Sequence, residues 1–228
     1  MEKLVPYIIY FFVYSFIGYI IEIIYCSIAE KRIVSRGFLF GPILPVYGFG
    51  MVAVLLATKT VRDDLVLTFL VSMLVCSTIE YFTSWLMETL FQVKWWDYSE
   101  DTKFNLNGRI CLHNSLLFGI AGCLIVKQIQ PIVDKFYFSL EPYQCHVAIF
   151  LLVLVLLDTV FSAFVVSEVK SNLSLKFGKG DQTNEIKKLA RRFVLKLLTG
   201  KTFAERKIKQ AKKLAKKKQR ELKRRLNM

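Results

Sequence analysis

Acidic residues inside apolar stretches are the side chains of this sequence most able to do chemistry. Glu22, Glu80, Glu88 and Asp158 each interrupt a long run of hydrophobic residues. A carboxylate in the middle of a membrane costs about 2.5–3.5 kcal/mol, so such residues persist where they serve a site or a buried network. We therefore expect them to face the interior of a helical bundle.

Two of these carboxylates share a periodic pattern with serine. Glu80, Ser84 and Glu88 recur at every fourth position, and Ser77 precedes them by about one turn. In an α-helix this spacing places the side chains on one face. The sequence thus predicts one polar helix face directed into the bundle.

Further polar groups are expected at the same level of the membrane. Arg36 and Arg109 end two loops, and the second loop is dense in aromatic and hydrogen-bonding residues. We expect Asp97 to pair with Arg109, while Gly108 permits a backbone turn that forms a structured lid. The predicted substrate-site residues are Glu22, Arg36, Glu80, Ser84, Glu88, Trp96, Asp97, Asn107 and Arg109.

Several interpretations of this polar set remain open. The arginines and carboxylates could form a neutralising network that fixes helix packing, or they could line a water-accessible pocket. Acid–base catalysis on a lipid-linked substrate, with Asp97 and His113 beside the carboxylates, is a further alternative. No nucleophile elbow, metal-ligand string or cofactor loop accompanies these residues, so an enzyme is the less favoured interpretation.

Five apolar runs must position these side chains. They cover residues 5–28, 38–57, 65–91, 110–133 and 147–169, each near the ~20 residues that cross a bilayer. We therefore predict an all-α, polytopic helical membrane protein with about five transmembrane segments. The second run concentrates glycine and proline between Gly37 and Gly50, which favours a kinked, broken or re-entrant segment.

Charge divides the chain into two parts. Residues 1–169 carry 11 basic and 14 acidic side chains, whereas residues 170–228 carry 21 basic and 4 acidic ones. This contrast predicts a transmembrane domain over 1–169 and a basic cytoplasmic helical tail over 170–228. Five spans then place the N-terminus outside, whereas a re-entrant second segment places it inside.

The basic tail is expected to form two helices, near 184–199 and 203–226. Because it directly follows a span, anionic lipid is its favoured partner. A partner helix or acidic protein is an alternative, and nucleic acid is disfavoured because base-reading motifs and aromatic platforms are sparse. The residues predicted to contact the lipid surface are Lys187, Lys188, Arg191, Arg192 and Lys196.

The sequence predicts neither a cofactor nor a metal site. Its five cysteines form no CxxC pair, and they are expected to be free thiols. Gly200-Lys201-Thr202 resembles the end of a nucleotide-binding loop, but Leu195 occupies the position where the motif requires glycine. An energy-driven transporter would therefore need a separate ATPase subunit.

Five ordered motifs carry a resemblance to a known family. The motifs are Tyr14-Ser15-Phe16-Ile17-Gly18 with Glu22; Arg36-Gly37-Phe38-Leu39 with Gly41-Pro42 and Pro45-Val46-Tyr47-Gly48; Glu80-Tyr81 with Ser84-Trp85 and Glu88; Trp95-Trp96-Asp97-Tyr98-Ser99; and Asn107-Gly108-Arg109-Ile110-Cys111-Leu112. Together they make residues 10–135 similar to the type IV ABC-transporter permease family labelled CmpB. The resemblance implies a multi-pass protein of the bacterial cytoplasmic membrane, largely in Gram-positive species. It implies no catalytic residues.

These observations favour a membrane transport component with a polar site in the inner half of the membrane, working with an ATPase subunit or as a homo-oligomer. Two alternatives stay open. One is the integral-membrane enzyme, and the other is a membrane scaffold that recruits a partner through its basic tail.

Overall fold

The computed structural model describes residues 2–31, 37–92, 94–99 and 102–173. Within them lie a short 3₁₀ turn (Glu2–Leu4) and six α-helices: α1 (Val5–Glu30), α2 (Pro45–Ala57), α3 (Leu65–Phe91), α4 (Leu112–Leu124), α5 (Gln130–Ser139) and α6 (Gln144–Leu173). Strands β1 (Asn105–Leu106) and β2 (Ile110–Cys111) form one antiparallel pair. Arg36, the two predicted tail helices and the five predicted lipid-surface residues lie outside the described residues.

Four helical stretches of the described chain are long and apolar enough to cross a membrane. They cover Val5–Ile28, Leu65–Phe91, Leu112–Ser139 and Gln144–Ser167. The third joins α4 and α5 through a π-helical turn at Ile125–Ile129. The prediction of a helical membrane protein is confirmed, and the predicted run 110–133 is corrected to a helix that starts at Leu112 and extends to Ser139.

The second predicted segment is broken, as its glycine and proline content indicated. Residues 37–44, here called the break segment, are non-helical, and α2 then begins at Pro45. The 13 residues of α2 extend about 20 Å at 1.5 Å per residue, which is less than a bilayer core of ~30 Å. Pro45 fits the start of a helix because its missing N–H would have no intrahelical partner there.

Hydrogen bonds to two neighbouring helices hold the break segment. Leu44 N donates to the Ser15 carbonyl oxygen of α1 at 3.0 Å. Phe40 N and Gly41 N donate to the two carboxylate oxygens of Asp158 on α6, at 3.1 and 2.8 Å. Non-helical backbone at membrane depth needs such partners because hydrocarbon supplies none.

Small residues let the helices approach closely. A Cβ atom on Gly18 of α1 would overlap the Tyr47 side chain of α2, and one on Gly122 of α4 would overlap Ser72 of α3. Close approach of this kind drives helix association in lipid, where apolar burial alone contributes little. The tight α1–α2 contact places Tyr47 directly against α1.

Candidate substrate site

Two carboxylates and two tyrosines meet in the interior of the bundle. Glu22 lies near the end of α1, Tyr47 on the first turns of α2, Glu80 on α3 and Tyr98 in the loop after α3. Tyr47 Oη donates to Glu22 Oε2 at 2.7 Å, and Tyr98 Oη donates to Glu80 Oε1 at 3.1 Å. The two carboxylates are close enough to interact electrostatically. We call these four residues the carboxylate cluster.

Glu80 is the most enclosed member of the carboxylate cluster. Its relative exposure is 8%, and its second oxygen, Oε2, is buried without a hydrogen-bond partner among the described residues. A buried polar atom in this state carries a desolvation cost of about 1–3 kcal/mol. Native proteins tolerate few such atoms, and each one requires an explanation.

The polar face of α3 extends on both sides of Glu80. Thr68, Ser72 and Ser84 are buried together with it, and Ser77 Oγ donates to Ser115 Oγ of α4 at 2.8 Å. The four-residue spacing thus brings Glu80 and Ser84 to the same interior face. Glu88 continues this face toward the end of α3.

A β-hairpin covers the end of α3 nearest the carboxylate cluster. Asn107 and Gly108 both have positive φ angles, 55° and 70°, and Arg109 N donates to the Leu106 carbonyl oxygen at 3.0 Å. This is the backbone of a tight hairpin turn, for which Asn-Gly is a preferred pair. The expectation that Gly108 supports an unusual backbone conformation is confirmed.

The loop that carries Tyr98 is fastened to this hairpin. Tyr98 N donates to the Gly108 carbonyl oxygen at 2.8 Å, and Trp96 Nε1 donates to the Arg109 carbonyl oxygen at 2.9 Å. A Cβ atom on Gly108 would overlap Asp97 Oδ1 and Ser99 Oγ. The hairpin backbone therefore fixes the position from which Tyr98 reaches Glu80.

Arg109 pairs with a different carboxylate from the one expected. Its Nη2 lies 2.7 Å from Glu88 Oε2, and its guanidinium carbon lies 5.3 Å from the centre of the Tyr81 ring. Asn107 Nδ2 donates to Tyr81 Oη at 2.9 Å. The predicted Asp97–Arg109 pair is wrong, because the Arg109 side chain turns toward α3.

Asp97 is held instead by its sequence neighbours. Lys94 Nζ lies 3.0 Å from Asp97 Oδ2, and Ser99 donates to Oδ1 from both its backbone N and its hydroxyl, at 3.1 and 2.6 Å. Burial raises the pKa of Asp97, but the hydrogen bonds from Ser99 and Lys94 outweigh it and the pKa is lowered. For Tyr98, burial and the adjacent Glu80 carboxylate raise the pKa of the phenol.

His113 lies apart from the carboxylate cluster. The structure places it on the first turn of α4, where its side chain is exposed. The enzyme interpretation placed His113 beside the carboxylates, whereas within the described residues no hydrogen bond or ion pair joins His113 to them. This arrangement gives that interpretation no support.

Sequence reasoning missed the tyrosines and the role of Asp158. Tyr47, Tyr81 and Tyr98 all occur inside the ordered motifs, and that position was the available signal. Asp158 was recognised as an intramembrane acid, but its bonds to a segment 117 and 118 positions away leave no local pattern.

A second polar cluster lies toward the other end of α1. Tyr10 Oη and Gln130 Nε2 both donate to Asp134 Oδ1, at 2.5 and 2.7 Å, and Tyr14 Oη donates to Gln130 Oε1 at 2.6 Å. Gln130, at 3% exposure, directly follows the π-helical turn. Each of these side chains finds its hydrogen-bond partner within the cluster, and the bonds join α1 to α5.

Comparison with known proteins agrees with the motifs. The family model described as "Putative ABC-transporter type IV" matches residues 9–163, which include every described member of the carboxylate cluster and of the hairpin. No curated protein and no solved structure matches the chain. Since the match covers more than half of the sequence and the helices fit a membrane protein, the chain is a multi-pass membrane protein that belongs to the ABC-transporter type IV family.

Proposed function

We propose that this protein is the membrane-spanning permease of a transporter and that its substrate binds at the carboxylate cluster. The observation that carries this proposal is the unpaired Oε2 of the buried Glu80. Helix-interior carboxylates in membrane proteins mark substrate or ion pathways because their burial is otherwise unfavourable. A bound substrate would supply the missing partner.

The hairpin acts in this proposal as a positioning element. It sets Tyr98 against Glu80 through the Tyr98 N to Gly108 bond, and the Arg109–Glu88 pair anchors it to the end of α3. Opening the hairpin would expose Glu80 to the aqueous side. Positive charges in the loops and the tail favour the cytoplasm as that side.

The energy source belongs to a second subunit in this proposal. The nearest nucleotide-loop candidate lacks a required glycine at Leu195, so ATP hydrolysis would come from a separate ATPase bound to the cytoplasmic face. Anionic lipid is the proposed partner of the basic segment 170–228.

Purification of the intact membrane complex tests this function. We expect an ATPase to co-purify with the protein, and we expect a bound small molecule, identified by mass spectrometry, to be present with wild type and absent with Glu80→Gln. Asp63→Asn is the matched control, because Asp63 is a fully exposed carboxylate outside the bundle. Wild-type levels of the bound molecule in Glu80→Gln would contradict the proposal.

The same variants separate a substrate site from a packing network. Glu80→Gln removes the charge and keeps the shape, while Glu80→Leu removes both polar oxygens. If the carboxylate only fixes helix packing, both variants should lose folded yield. If it binds substrate, both should insert and purify while the bound molecule is lost.

A further inference from the structure

The hydrogen-bonding inventory of the carboxylate cluster restricts what it can bind. Each tyrosine donates its single hydroxyl hydrogen to a carboxylate: Tyr47 donates to Glu22, and Tyr98 donates to Glu80. Ionised carboxylates carry no hydrogen to donate, and a phenol has only one. The cluster can therefore provide a ligand with hydrogen-bond acceptors, and the main acceptor is Glu80 Oε2.

Among the described residues, no Lys or Arg forms an ion pair with Glu80. Two cations of the loop and hairpin beside α3 pair with other carboxylates, Arg109 with Glu88 and Lys94 with Asp97. Within the part of the chain that the structure describes, the side chain of Glu80 accepts a hydrogen bond from Tyr98 alone, and Tyr98 carries no charge. A buried carboxylate that has no paired cation favours a ligand that carries both a positive charge and hydrogen-bond donors.

A bare metal ion fits these side chains less well. Calcium prefers six to eight oxygen ligands, and magnesium requires near-octahedral geometry. The described residues contain no group of three or more His, Cys, Asp or Glu side chains that could hold a metal, and both phenols point their hydrogens at carboxylates. An ammonium group needs only a few acceptors at hydrogen-bond distance.

We propose, resting on the transport function above, that the substrate carries a primary or secondary ammonium group and that Glu80 Oε2 accepts a hydrogen bond from it. The carboxylate of Glu22 interacts electrostatically with Glu80 in the same cluster. Tyr47 and Tyr98 are positioning residues, since each orients one carboxylate. The substrate class is thus organic amines.

Thermal unfolding of the purified full-length protein in detergent, at constant ionic strength, tests this inference. The probes are methylammonium and putrescine, which have N–H donors, against tetramethylammonium, which has the charge without donors, and sodium. A ligand that binds only the folded state raises its melting temperature. We expect the two donor-bearing amines to raise it and the other two cations to leave it unchanged.

Two variants test whether the rise in melting temperature depends on Glu80. Glu80→Gln should weaken amine binding about tenfold to a hundredfold, as expected for loss of a charge-assisted hydrogen bond, whereas Asp63→Asn should respond like wild type. If Glu80→Gln fails to fold, the comparison of donor-bearing and donor-free cations on wild type still decides the question.

Three results would overturn the inference: equal responses to all four cations, a response to sodium alone, or an undiminished amine response in folded Glu80→Gln. Each of these results can be distinguished from a result that refutes the proposed transport function. Absence of amine binding alongside loss of the co-purified molecule in Glu80→Gln would refute the amine and retain the substrate site. Absence of an ATPase partner would refute the transporter and leave amine binding intact.

Discussion

Replacing Asp158 with asparagine tests how the break segment is held inside the bundle. Asparagine keeps the size of the side chain and one acceptor oxygen, but its amide group is a donor. One of the two backbone N–H groups, from Phe40 or Gly41, would then face another donor. The hydrogen bond from Ser162 Oγ to Asp158 Oδ1, at 3.2 Å, would be weakened as well.

The expected size of this effect follows from the number of bonds. Side-chain hydrogen bonds in membrane proteins contribute about 0.6 kcal/mol on average and up to roughly 1.7 kcal/mol. Because asparagine loses one of the two backbone bonds on Asp158, we expect Asp158→Asn to lower the free energy of unfolding by roughly 0.6–1.7 kcal/mol. Unfolding by SDS in mixed micelles, followed by circular dichroism, measures this quantity.

Thr159→Val is the matched control for this experiment. Thr159 is the next residue of α6 and is exposed, and within the described residues its hydroxyl donates only to the Val155 carbonyl oxygen of its own helix. Its replacement should change stability by less than about 0.5 kcal/mol. Equal stability of Asp158→Asn and Thr159→Val would refute the role assigned to Asp158.

Three other predictions concern the hairpin and the orientation. Gly108→Ala should destabilise the protein by about 1–2 kcal/mol, because alanine is unfavourable at a φ of 70°, as measured by the same unfolding assay. Arg109→Lys should keep the charge but loosen the hairpin, since lysine loses the planar guanidinium that lies over the Tyr81 ring; faster proteolysis at the hairpin would report this. Cysteines introduced at Lys103 and Asp63 into a cysteine-free variant should be, respectively, shielded from and labelled by an impermeant thiol reagent in intact cells.

Each of these three variants has an outcome that would contradict the role assigned to it. Gly50→Ala is the control for the hairpin glycine, because a Cβ atom there meets only Cys76 Sγ at 3.8 Å, and equal stability of the two variants would count against the strained turn. Unchanged proteolysis of Arg109→Lys would show that charge alone anchors the hairpin. Labelling of Lys103→Cys by the impermeant reagent would contradict the predicted orientation in the membrane.

The course of the helices could be predicted from the sequence because it depends on local composition. Apolar runs of about twenty residues require helices in lipid, and the proline and glycine between Gly37 and Gly50 required a break. The positive φ at Gly108 could be anticipated for the same reason, since it depends on one residue type. The hairpin strands at 105–111 were not anticipated, because two-residue strands have no period to detect.

The partners of the carboxylates could not be predicted because they depend on packing between distant segments. Opposite charge predicts arginine as a partner of an intramembrane acid, and it gives no sign that Tyr47 and Tyr98 donate to Glu22 and Glu80 across 25 and 18 positions. The choice of Glu88 for Arg109, 21 positions away, depends on how the hairpin folds over α3. The charges of the residues alone do not indicate toward which carboxylate the Arg109 side chain turns.

The bonds of the break segment create a mechanical connection between the last described helix and the candidate substrate site. Asp158 on α6 holds Gly41, and Tyr47, six residues further along the chain, donates to Glu22. A displacement of α6 along its axis would pull on the break segment and shift the phenol that orients Glu22. The geometry of the carboxylate cluster would then depend on the position of α6, so in the proposed transporter a force applied to that helix would alter how the cluster binds its substrate.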